Sequence, residues 1–228
     1  MVKVRNIKDY NKPISILVMG RCGVGKTVFA TSSTRRIIVI DVEEGLTSVR
    51  KNIDYLPVKS YRDYLEAVAF LQSAEGRAYD IAVLDSWTFL GNFVEKSVLT
   101  EVKREFLKGF DNWSLFKSRM RDCMIFFREL PMITVGTSLV ALKEIEIGVR
   151  NEIVPDIQSD LKFEVGAIFQ GVFYLDIVTN LQGKKERSLI TAATGVVAAK
   201  ERFGKLPPVI TGKDVNLDFV LNCLEKEV

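Results

Sequence analysis

The residues best equipped for chemistry lie in one loop: Gly20, Arg21, Cys22, Gly23, Val24, Gly25, Lys26, Thr27 and Val28. Four of them, Gly20, Gly25, Lys26 and Thr27, satisfy G-x-x-x-x-G-K-[ST], with an extra glycine at Gly23. Glycines let the backbone curl until several N–H groups point inward at one anion, and a following helix adds its positive N-terminal end. In such a loop Lys26 reaches the β/γ-phosphates of a nucleotide and the Thr27 hydroxyl becomes a Mg²⁺ ligand. The flanks fit this reading, because an apolar run, ISILVM, precedes the loop and VFATSS follows it.

Carboxylates that could serve the same site end two other apolar runs. Asp85 closes IAVLD, where an acidic residue beside a phosphate loop holds Mg²⁺, usually through water. Asp41 and Glu43, in IIVIDVEEG, are two residues apart and share a face of an extended chain. A carboxylate at this position could polarise the water that attacks the γ-phosphate, with Glu44 as second choice. Lys200 and Arg202 form K-x-R in AAKERFG, two cations on one face that could stabilise a transferring phosphoryl group.

The elements that must position these groups alternate between strand and helix patterns. Apolar runs at Ile14–Gly20, Ile37–Asp41, Ile81–Asp85 and Pro131–Ser138 predict buried strands. A short helix is expected over Lys26–Ser33. A second opens on a capping box at Ser60 and Asp63, and Gly76 closes it. Helical spacing continues over Phe93–Leu107 and Asp111–Leu130, the latter with Trp113, Phe116, Met120, Cys123, Phe127 and Leu130 on one stripe, read as core. Leu139–Glu164 is polar and unpatterned, with Lys143, Arg150 and Lys162 scattered among acidic residues. VFYLDIV and RSLITAA flank NLQGKKE as a hairpin with a basic tip. The expected fold is α/β: a mostly parallel twisted central sheet, helices on both faces, an antiparallel C-terminal strand extension, and one domain over 1–228. Ligands of such sheets sit beyond the carboxyl ends of the strands.

Composition narrows the chemistry further. Histidine is absent from the chain, which excludes Ser-His-Asp and Cys-His catalysis and every His-ligated metal site. Three distant cysteines suggest neither a disulfide framework nor a zinc ribbon, and Cys22 reads as a small loop residue. A net charge of +3 is too mild to announce nucleic acid. No apolar run approaches the ~20 residues of a membrane span, and MVKVRNIKDYNKP lacks a secretory apolar core. A cytoplasmic setting with no membrane partner is expected.

Together, GRCGVGKT, IDVEEG, VLDSWT, the MITVGTS strand and AKERFG resemble the RecA-like core ATPases, above all the phage-encoded single-strand-annealing recombinases and RadA-type proteins. The resemblance implies a P-loop NTPase that binds ATP and Mg²⁺ and hydrolyses ATP in DNA recombination. It maps Glu43 to the water-activating glutamate, Asp85 and Thr27 to the metal, and Lys200 and Arg202 to a pair that reaches a neighbouring subunit's nucleotide. Implied partners are single-stranded DNA, a single-strand-binding protein and further copies of the chain; the host-cell cytoplasm is implied if the chain is phage-encoded. By the same analogy Leu139–Glu164 is the DNA-contacting loop. Relatives often carry His or Gln after the MITVG strand to sense the γ-phosphate, where this chain has Thr137 and Ser138. Three other readings compete. A partition-type ATPase would carry Lys and Gly where Arg21 and Cys22 stand. A small-molecule kinase would show an arginine-rich lid, and a nucleotide-gated scaffold or loader would lack its own DNA chemistry.

Overall fold

The computed structural model describes residues 6, 12–105, 112–146, 150–158 and 160–226, with backbone alone at 102–105, 145, 146 and 150. Five fully buried strands carry the architecture: β1 (Ser15–Met19), β2 (Ile37–Asp41), β4 (Ile81–Asp85), β5 (Ile133–Ser138) and the first half of β8 (Gly171–Thr179). With the edge strand β3 (Asp54–Pro57) they form a parallel array in the order β8-β1-β5-β4-β2-β3. β9 (Lys185–Ile190), β10 (Lys200–Glu201) and β11 (Val209–Thr211) extend it antiparallel beyond β8. This is the mostly parallel α/β fold expected from the sequence, and its antiparallel strands are the C-terminal ones.

Alternation explains why the parallel strands read as continuous apolar runs. Leu17, Met19, Ile38, Ile40, Ala82 and Leu84 face one layer, built by α2 (Tyr61–Gln72), α3 (Trp87–Glu105), α4 (Asn112–Arg128) and α5 (Leu161–Ile168). Ile16, Val18, Ile37, Val39, Ile81 and Val83 face the other, built by α1 (Lys26–Ala30) and α6 (Leu217–Glu225). The registers Asp41↔Asp85 and Met19↔Ser138 bring three strand ends and the start of the glycine loop to one edge.

The capping box forms as expected: Ser60 Oγ accepts from the Asp63 N–H at 3.1 Å. Several helix boundaries differ. α2 ends at Gln72, and Gly76 instead opens a 3-10 turn against the helix's last residues. α1 stops at Ala30, where the Thr31 hydroxyl bonds back to the Thr27 carbonyl at 2.8 Å. α3 begins at Trp87 because Trp87, Leu90, Val94 and Val98 are its buried stripe; the expected ends at Leu107 and Asp111 lie outside the described residues. The largest correction concerns Leu139–Glu164. It is no loop but a β-hairpin, β6 (Val140–Glu146) with β7 (Arg150–Pro155), followed by the first turn of α5. Polarity does not follow burial in the hairpin, where Leu142 is exposed and Lys143 and Glu152 are half-buried, and Leu161, Val165 and Ile168 are the buried helical stripe of α5. Among the described residues no helix is long and apolar enough to cross a membrane.

Trp87 is the wedge between sheet and helices. It is fully buried, with Tyr64, Phe127 and Phe169 edge-on at centroid distances of 6.4, 5.5 and 6.0 Å. It packs against Gly136, where an added methyl group would run into its Nε1. Gly136→Ala is expected to cost about 1–3 kcal/mol, the usual penalty for overpacking a tight core. Gly91→Ala, on α3 with only ordinary contacts to Gln158, is expected to be neutral or to stabilise by up to about 1 kcal/mol through helix propensity. Denaturant midpoints followed by circular dichroism check both signs.

Candidate nucleotide site

The glycine loop joins β1 to α1, and its shape is enforced by close packing. Gly20 donates its N–H to Ser138 O at 3.2 Å. A methyl group there would stand 2.5 Å from the Leu175 carbonyl of β8, so only glycine fits. Gly25 is left-handed at φ 94°, a conformation glycine adopts without steric cost. From Arg21 to Val28 no backbone amide donates to an acceptor among the described residues; pairing resumes with Phe29 N–H to Gly25 O at 2.9 Å. The loop thus presents consecutive unpaired N–H groups at the head of a helix, the arrangement that receives phosphate oxygens.

Lys26 is buried and donates to the loop's own carbonyls, Gly20 O and Arg21 O, each at 2.9 Å. Burial pushes its ammonium below the ordinary lysine value, opposed by the negative fields of Glu43, Asp85 and Cys22. Arg21, Cys22 and Gly23 form the exposed rim, while Val24 turns into the core. Thr27 donates to Asp85 Oδ2 at 2.7 Å, and Thr137 of β5 donates to Asp85 Oδ1. The Asp85 carbonyl accepts from the Val42 and Glu43 amides at 2.8 and 3.2 Å. Thus Thr27, Asp85 and Glu43 come together at one strand edge.

The chain bends after Asp41. Glu43 stays on the side of Lys26 and Asp85; burial first, then the Asp85 charge, hold its carboxyl above the ordinary value, and Lys26 pulls it back down. Asp41 is also raised, mainly by burial, and its Oδ1 has no hydrogen-bond partner among the described residues. Glu44 turns away: it is left-handed at φ 55° and pairs with exposed Lys59 at 3.0 Å. Of the two hydroxyls considered at the end of β5, Thr137 is committed to Asp85, and the buried Ser138 hydroxyl is unpartnered among the described residues. The hydroxyl–carboxylate set of Thr27 and Asp85 is all oxygen, as Mg²⁺ prefers. Among the described residues no group of three or more His, Cys, Asp or Glu could hold a metal by itself. Such a pair fits an ion that takes its remaining ligands from phosphate and water.

A family model described as "AAA domain", AAA_24, matches residues 12–203. The chain belongs to the AAA_24 family. No curated protein matches it. Among solved structures, the RadB recombinase superposes with a TM-score of 0.51 at 12% identity, over 88% of this chain and 87% of the other. A KaiC-like protein, PH0186 from the hyperthermophilic archaeon Pyrococcus horikoshii OT3, superposes with 0.45 at 13% identity, over 89% and 91%. The fold of this AAA_24 chain is RecA-like.

Lys200 and Arg202 stand apart from the glycine loop. β10 pairs with the start of β8, Lys200 opposite Val172, and Arg202 N–H bonds Gln170 O, so the pair sits toward the other end of the sheet. Arg202 Nη2 donates to Gly166 O and Ala167 O, both at 3.2 Å, closing the C-terminal turn of α5. Lys200 faces a pocket of 310 Å³ shared with Lys143, Lys162 and Phe163. Lys143 Nζ lies 3.8 Å from the Phe163 ring centroid. These lysines, scattered in sequence, converge only through the hairpin and α5; no spacing in the sequence announces it.

Folding raises the Glu43 carboxyl, so the stability it contributes is complete below the ordinary value of 4.5 and is lost as pH rises through the folded value. Nucleotide-free Glu43→Gln, which cannot ionise, is expected to melt higher than the natural protein near about pH 8. The gap should close toward about pH 4; melting curves across this range check it.

Proposed function

We propose that the chain is a Mg²⁺-dependent ATPase of the RecA-like recombinase class, acting on single-stranded DNA as a homo-oligomer. The observation that carries this reading is the run of unpaired amides from Arg21 to Val28 beside Lys26, Thr27 and Asp85. Consecutive amides without a protein acceptor at the head of a helix form an anion-receiving concavity, and a triphosphate supplies the acceptors. Lys26 then exchanges its two loop carbonyls for β/γ oxygens, and Thr27 and Asp85 hold Mg²⁺, which neutralises phosphate charge when bound. Glu43 orients the attacking water and receives its proton, and its raised carboxyl is matched to that task.

Lys200 and Arg202 serve a neighbour's nucleotide in this reading, because their place across the sheet from their own loop leaves them no role in cis. The β6–β7 hairpin rises beside the site: the Leu139 N–H bonds the Thr88 hydroxyl, which itself donates to Asp156 O. A strand of DNA held by the hairpin would therefore bear on the residues just after Asp85. Lys143 and Lys162, with Glu152 opposite Lys143, are the charged groups that region offers a phosphate backbone.

ATP turnover measured with and without single-stranded DNA tests the proposal, and stimulation by DNA is the expected result. Lys26→Ala should abolish turnover, and Glu43→Gln should lower it by about 10²–10⁴ while nucleotide binding persists. Arg202→Ala alone should turn over slowly, and mixing it with Lys26→Ala should restore part of the activity. Absence of rescue at every ratio refutes a role across subunits.

A further inference from the structure

The hairpin of β8 and β9 carries a cation that the sequence motifs did not single out. β8 outruns β1, whose last residue pairs with Tyr174, so Ile177 and its partner Arg187 stand above the strand edge beside the glycine loop. Arg187 shares its face of β9 with Leu189, which packs into the α1 layer. Its guanidinium lies against Gly25: a methyl group on Gly25 would stand 2.5 Å from Nη2, 2.9 Å from Cζ and 3.0 Å from Nε. A guanidinium offers five N–H donors, yet that of the half-buried Arg187 makes no hydrogen bond or ion pair among the described residues. Arg187 also lines a surface pocket of 450 Å³ next to Lys184 and Lys213, with the carboxylate of Glu186 among its walls.

We infer that Arg187 is a nucleotide-binding residue that donates from the same chain to the α/β-phosphate portion of the ligand. This inference rests on the nucleotide reading of the loop. The geometry explains the division of labour: Lys26 is directed at the far end of a triphosphate, whereas the backbone around Gly25 cradles the α/β groups. A planar, unpaired guanidinium at that point finds in a diphosphate the acceptors the protein does not give it. Its contact is common to ADP and ATP.

The test is titration of the full chain with fluorescent ADP and ATP analogues in Mg²⁺ buffer. Arg187→Ala should weaken both by about tenfold, as expected for loss of a charge-assisted hydrogen bond, and Arg187→Lys should recover part of the loss. The nucleotide-free melting temperature of Arg187→Ala should equal that of the natural protein, while the rise produced by saturating ADP shrinks. A purely structural role would lower the former. Arg187→Gln, closer in shape, replaces the alanine variant if that fails to fold. Natural-like affinity for both nucleotides in these variants overturns the inference. Failure of the natural protein to bind either would overturn the nucleotide reading itself.

Discussion

A run of backbone amides with no acceptor is the constraint on which the structure turns. The neighbouring bend after β2 has an acceptor for its amides, the Asp85 carbonyl shared between Val42 and Glu43. The loop from Arg21 to Val28 does not, and it is held open by neighbours that leave it no alternative. The Leu175 carbonyl presses on Gly20, and the left-handed Gly25 turns the chain into α1. Lys26 closes on the loop's own carbonyls, so its buried charge is solvated by main-chain dipoles until an anion arrives.

Asp85 is the junction through which this loop is tied to the sheet. One carboxylate oxygen takes Thr27, the other takes Thr137, and its carbonyl fixes the bend that presents Glu43. Three strands and the glycine loop therefore share one residue. Through Asp85, Thr27 is one hydrogen bond removed from Thr137 of β5, and from β5 the chain passes in two residues to the β6–β7 hairpin.

The parts legible in the sequence were those in which one local pattern dictates one structure. Buried parallel strands have no polar face, so SILVM, IIVID and IAVLD could be read from composition alone, and the glycine spacing encodes its own loop. What escaped had no such signature. β3 has three exposed positions out of four and buries nothing that would mark it. The β6–β7 hairpin carries charges in an alternation too diluted to stand out. Side-chain placement was legible only near the loop: the positions of Asp85 and Glu43 followed from strand ends. Arg187 depends on how far β8 overshoots β1, and the meeting of Lys143, Lys162 and Lys200 depends on a hairpin, a helix and a two-residue strand converging. Tertiary geometry decides both.

The wedge at Trp87 has an optical consequence. The chain has two tryptophans, and they occupy opposite environments. Trp87 is sealed in an aromatic cage with its Nε1–H unpaired among the described residues, two positions from Asp85, whereas Trp113 is 44% exposed. Indole emission shifts to shorter wavelength as its surroundings lose polarity, so the blue component of the intrinsic spectrum originates beside the strand edge and the red component on α4. The molecule carries its own spectroscopic reporter of events at Asp85, with a second chromophore as internal reference and no label required.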